Sequence, residues 1–195
     1  MMLPGERALR EERHALVATV RSLTDEEFAS APTLCAGWAP RDILAHVMGV
    51  DRHFGEYLRA GGWISTANEV IVGKSRALSR EELMAQAETW LRGPAPWTRA
   101  MALQLLGDNA IHHQDILRPL GRTRVVPDAA ANAILREGMM LGAPKLLRYR
   151  VEPTDGGRAV GRGRCVRGTR EALGMWLSGR DGLESELQFD QEVAA

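Results

Sequence analysis

The stretch LGDNAIHHQDILRPLG, residues 106–121, decides both the fold and where chemistry could sit. It sets two of the chain's five histidines beside two aspartates, in a segment whose apolar spacing is helical up to the stop at Pro119 and Gly121. On a helix, Asp108 and His112 stand four apart on one face, and Asp115 lies three further on, close to the same line. His113 points about a quarter-turn away. A carboxylate and an imidazole in this spacing can offer two ligands to one metal ion, and a third from a neighbouring helix leaves a position open for water or substrate.

The third candidate comes from the helix predicted over residues 40–59. Pro40 suits its first turn, Asp42 complements the positive end of its dipole, and Gly61-Gly62 stops it. Its apolar stripe is Ile43, Val47, Val50, Phe54 and Leu58, with His46, His53 and Tyr57 on or beside it. His46 is therefore expected to point inward. The predicted metal ligands are His46, Asp108 and His112, with Asp115 orienting His112 from behind. Neutral imidazole and carboxylate oxygen suit a borderline divalent ion such as zinc.

Blander readings stand beside this one. A single histidine on an apolar stripe is more often a hydrogen-bonded core residue, and Asp108 on its own reads as a solvated carboxylate. His14 and His53 keep that reading. Cys35, in a loop before Gly-Trp, has no base near it in sequence and is expected to be a packed, inert thiol. Trp38, Trp63, Trp90, Trp97 and Trp176 are expected to anchor core or loops.

The rest of the chain supports a helical bundle. Amphipathic spacing over residues 5–23 gives a first helix, Thr24 with Glu27 and Ser79 with Glu82 form capping boxes, and helices are predicted over 79–91, 98–117 and 127–147, the last interrupted or weakened by Gly138, Gly142 and Pro144. Residues 63–78 read as loop with some helix. Beyond 147, alternation over 147–151 and the Gly-rich run 159–166 suggest a β-hairpin, followed by a helix over 169–177 and a frayed tail from 184 onward. The fold class is thus mainly α, a four-helix bundle over 1–146 with a small α/β extension over 147–195.

Bulk composition excludes several functions. Twenty-five basic residues balance twenty-five acidic ones, so no nucleic-acid or membrane-surface patch is expected and the partner should be a small molecule. No apolar run approaches the roughly 18 residues of a membrane span, and the charged start lacks a secretory leader's apolar segment. Two distant cysteines fit a reducing, cytoplasmic setting.

The segment CAGWAPRDILAHVMGVDRHF, with DNAIHHQDILRPLG and VRGTREALGMWLSGRDG, resembles the mycothiol-dependent maleylpyruvate isomerase family of the DinB-like metal-binding superfamily. The resemblance implies a DinB-like four-helix bundle holding a divalent metal, zinc with nickel as the alternative, through His46, Asp108 and His112. It implies mycothiol as cosubstrate, and the Arg-rich, Lys-poor composition agrees with an actinobacterial source. Two departures are visible: the acidic ligand is more usually Glu, and the appended domain looks abbreviated, which leaves the family's substrate-directed arginine unassigned. The expected function is a metal-dependent enzyme using that thiol for S-transfer to, or isomerisation of, a small electrophile. A metal-dependent hydrolase and a non-catalytic small-molecule-binding protein are the alternatives, and a homodimer is the default oligomer.

Overall fold

The computed structural model describes residues 2–59, 61, 64–93 and 95–190. Helix α1 (Glu6–Ser22) buries Leu9, Leu16, Val17 and Val20, the stripe read from the sequence. Each such side chain contributes roughly 1.5–3 kcal/mol of burial free energy. The capping box opens α2 (Asp25–Ser30) as predicted: Glu27 N donates to Thr24 Oγ1, and Thr24 N donates back to the Glu27 carboxylate.

The helix predicted over 40–59 is broken. It runs as α3 (Pro40–Arg52), leaves helical geometry at His53 (φ −123°, ψ 34°), and resumes as α4 (Phe54–Arg59). The break turns α4 back along α5 (Ile64–Ser75), where Tyr57 Oη donates to Asn68 Oδ1 at 2.8 Å and Lys74 pairs with Glu56. That α5 is a full twelve-residue helix corrects the expectation of loop with some helix over 63–78. Its sequence shows little amphipathicity, because Ile64 and Val70 are exposed while Ala67, Ile71 and Val72 are buried. Packing on α3 supplies what propensity does not. Gly49 makes the crossing possible, since a Cβ there would lie 2.3 Å from Ile71 Cγ2. Trp63 lies outside the described residues.

The second capping box opens α6 (Arg80–Leu91). The helix predicted over 98–117 divides at Met101 (φ −100°, ψ 15°) into α7 (Pro96–Ala100) and α8 (Ala102–Leu117). Helices α1, α3, α6 and α8 close around a core that includes Leu16, Val20, Ile43, Val47, Leu83, Trp90 and Ile116, the expected four-helix bundle. Helix α9 (Asp128–Leu141) ends earlier than predicted, at Gly142, and a 3₁₀ turn spans Ala143–Leu147. A Cβ at Gly142 would lie 2.4 Å from Leu177 O, and Pro144 brings no N–H to extend the α-helix.

The C-terminal sheet differs from a simple hairpin. Strand β1 (Tyr149–Pro153) pairs antiparallel with the short β2 (Val160–Gly161) but parallel with β3 (Arg164–Gly168), and β4 (Gln188–Phe189) adds antiparallel to β3, giving the order β2-β1-β3-β4. Gly161 and Gly163, both at positive φ, carry the chain across the end of β1. A Cβ at either would meet a carbonyl oxygen at 2.2–2.3 Å. Helix α10 (Arg170–Leu177) crosses between β3 and β4 and packs on α9 at Gly138 and Gly174, so Met175 and Leu183 share a core cluster with Leu9, Leu106 and Ile134. The tail expected to fray forms a 3₁₀ turn, Glu184–Glu186, and then β4. Its last five residues lie outside those described. Among the described residues, no helix is long and apolar enough to cross a membrane.

Candidate metal centre

Helices α3 and α8 face each other across the bundle, and the three predicted ligands meet between them. His46, buried on α3, directs Nε2 to within 3.7 Å of Asp108 Oδ1; His112, one turn along α8 from Asp108, directs its own Nε2 to within 3.6 Å of the same oxygen. The two imidazoles meet edge to face, with centroids 4.7 Å apart. These separations exceed hydrogen-bond length. They lie close to the spacing of about 3.4 Å expected between ligands held about 2.1 Å from a tetrahedral ion. Asp108 Oδ2 and His46 Nδ1 are buried without a hydrogen-bond partner among the described residues, so this corner holds polar atoms that those residues do not satisfy. A divalent cation fits the donor set.

His112 Nδ1 is engaged differently. It lies 2.9 Å from Oδ2 of Asp115, a wholly buried carboxylate, and the hydrogen bond directs Nε2 towards Asp108 and His46. Arg180, in the turn after α10, closes on Asp115 as a two-toothed fork, Nε to Oδ1 at 3.0 Å and Nη2 to Oδ2 at 2.7 Å.

Electrostatics follow from these contacts. Burial lowers the His46 pKa, outweighing the attraction of Asp108 and leaving a neutral imidazole. Burial also opposes charge on His112. There the hydrogen bonds to Asp115 and Cys35 and the charges of Asp108 and Asp115 outweigh it, pushing the pKa up to about 10. Asp108 is disfavoured by burial yet held down at about 2 by both histidines and Arg180, and Asp115 is held further below the usual carboxylate range. A cation in this corner would take the place of the proton on His112.

Several residues of the centre escaped sequence reasoning. Cys35, expected to be inert, places Sγ 3.1 Å from Asp115 Oδ2, 3.6 Å from His112 Nδ1 and 3.7 Å from Arg180 Nη2. Those partners lie 77 to 145 residues along the chain, so local sequence held no signal for them. Trp38 does anchor its loop: Thr33 Oγ1 donates to Trp38 O at 2.8 Å, and the indole lies over both histidines, 5.2 Å from His46 and 6.2 Å from His112. Glu137 on α9 is buried with Gln104 as its hydrogen-bond partner, and burial, then the charge of Asp108, raises its pKa to about 7. His14 and His53 are exposed, which corrects the blander reading of them as hydrogen-bonded core residues.

The fold and this convergence define a class: a helical bundle with a candidate divalent-metal centre between two of its helices and a small sheet against one side. Within that class, residues 9–87 match the family model of the mycothiol maleylpyruvate isomerase N-terminal domain. Two crystal structures of the mycothiol-dependent maleylpyruvate isomerase, one of them a mutant, share the fold, each with a TM-score of 0.68 over 96% of this chain and 93% of theirs. The family resemblance read from the sequence is borne out. Identity to these structures is 13% and 14%, so the likeness is one of fold. The matched segment contains His46, while Asp108 and His112 lie beyond it. No curated protein matches the sequence.

Proposed function

We propose that this protein is a cytoplasmic metal-dependent enzyme that uses a low-molecular-weight thiol, mycothiol, for S-transfer to, or isomerisation of, a small electrophile. His46, Asp108 and His112 are its ligands, zinc is the first expected metal and nickel the second, and residues 1–146 form the metal-binding unit to which 147–195 are appended. The observation that carries this reading is the convergence of His46 Nε2, Asp108 Oδ1 and His112 Nε2 without hydrogen bonds among them, in a bundle shared with mycothiol-dependent isomerase structures.

A divalent ion bound there supplies Lewis acidity, lowering the pKa of a coordinated thiol so that thiolate is available near neutral pH. The chain's own groups prepare that chemistry. Asp115 keeps His112 in one tautomer and one orientation. Trp38 covers the histidine rings and limits water on that side. Asp108, with a side chain about a quarter exposed, marks the open edge through which thiol and electrophile approach. Asp108 is one methylene shorter than glutamate, which holds its carboxylate close to the α8 backbone.

The test pairs elemental analysis of the purified protein with turnover of maleylpyruvate in the presence and absence of mycothiol. One equivalent of zinc or nickel with thiol-dependent isomerisation or S-conjugation is the expected result. Ester or amide turnover without thiol would replace this reading with a hydrolase, and a protein that takes up no metal after reconstitution would replace it with a binding protein.

A further inference from the structure

Among the described residues, hydrogen bonds from Arg180 to Asp115 join the C-terminal part to the centre. Arg180 sits in the turn after α10, where its N donates to Met175 O at 3.1 Å, and its largely buried side chain extends to the wholly buried Asp115. Asp115 in turn holds His112 Nδ1, accepts the Cys35 S–H at 3.1 Å, and through its backbone oxygen accepts Leu34 N at 3.1 Å. Three segments distant in sequence therefore meet on one carboxylate: α8, the loop around Cys35, and the turn after α10. All approach it from the side of His112 opposite Asp108 and His46.

This arrangement has a thermodynamic consequence. An ion on Nε2 draws electron density from the imidazole and strengthens the Nδ1–H bond to Asp115, and a carboxylate held in one position raises the basicity of Nε2 in return. Any group that fixes Asp115 is thereby linked to the ion, and the linkage is reciprocal: whatever factor the turn adds to metal affinity, the metal adds to the docking of the turn.

We propose that Arg180 is a positioning residue that acts through Asp115 to couple metal binding at His112 to the docking of the turn over residues 178–183. The coupling rests on the reading above that His46, Asp108 and His112 hold a metal. It assigns to the C-terminal part a role in building the centre, besides its packing on α9.

Zinc affinity by chelator competition and amide hydrogen exchange over residues 178–183, with and without zinc, test this in the full chain. The variants are Arg180→Ala, Arg180→Lys and Arg170→Ala. Arg170 anchors the same helix through Asp128, Asp155 and Asn132, and among the described residues none of its side-chain hydrogen bonds goes to the centre. Arg180→Ala should bind zinc 10- to 100-fold more weakly. Arg180→Lys, with one charge but no fork, should fall between, and Arg170→Ala should match the parent. Zinc should slow exchange of the turn in the parent and leave it unchanged in Arg180→Ala. Equal zinc affinity in parent and Arg180→Ala, or equal weakening in Arg170→Ala, overturns the coupling while the metal centre stands. If Arg180→Ala does not fold, Arg180→Lys decides, and parental affinity with zinc-independent exchange overturns the coupling. A parent that binds no zinc at all removes both this coupling and the proposed function.

Discussion

His112 and His113 are adjacent on α8, both buried, and each sets Nδ1 against a carboxylate at 2.8–2.9 Å. Their other nitrogens differ. His113 Nε2 meets Thr19 Oγ1 at 2.8 Å, and its partner Glu12 is further held by Arg124, so both ring nitrogens of His113 and both carboxylate oxygens of Glu12 have partners. His112 Nε2 opens onto Asp108 and His46 with no hydrogen bond among the described residues. The pKa directions follow: burial and the nearby Arg124 prevail at His113, whose pKa is lowered, whereas surplus carboxylate prevails at His112. A buried histidine beside an acid is thus not by itself a site. Unsatisfied atoms converging on one point make one.

This contrast can be broken by experiment. The largest effect expected is on metal content: His112→Ala, His46→Ala and Asp108→Ala should each fall from one equivalent to none, while His113→Ala keeps its metal. Full occupancy in all of the first three would dissolve the distinction. Next, His113→Ala should cost about 2–3 kcal/mol in urea unfolding, because the buried Glu12 loses one of its two partners. An unchanged midpoint would show that the closed face is not structural.

Asp115→Asn should keep the fold but weaken zinc by 10- to 100-fold, read by chelator competition. A smaller effect is expected on pH dependence. Burial works against the charge of Glu12, but the hydrogen bonds from His113 and Arg124 outweigh it and hold its pKa below the ordinary 4.5. Such a carboxylate adds stability above that value and loses it as pH falls through the lowered one. Glu12→Gln should therefore flatten the acid limb of the unfolding profile and leave zinc content unchanged. The exposed His14→Ala should alter stability by less than about 0.5 kcal/mol and metal content not at all.

Most helices were legible in the sequence, because α1, α3 and α6 announce themselves by apolar stripes, capping boxes and a proline at N1. The failures share a cause. Helix α5 has no stripe of its own, the break at His53 serves contacts with α5, and the parallel pairing of β1 with β3 depends on a crossover that no local period records. In the centre, the spacing of Asp108, His112 and Asp115 was readable because an α-helix converts i, i+4 and i, i+3 into one face. The meeting of Cys35 and Arg180 with Asp115 was not, since these contacts join residues 80 and 65 positions apart and no local period records them.

The sequence by itself determined the bundle and which side chains α3 and α8 would present, because helical periodicity and capping are local properties of the chain. The tertiary structure decided that His46 closes on Asp108 and His112, and that Asp115 is fixed by Arg180 and touched by Cys35. Such contacts depend on the packing of helices distant in sequence, and burial then determines which polar atoms find partners and which are left to face a ligand.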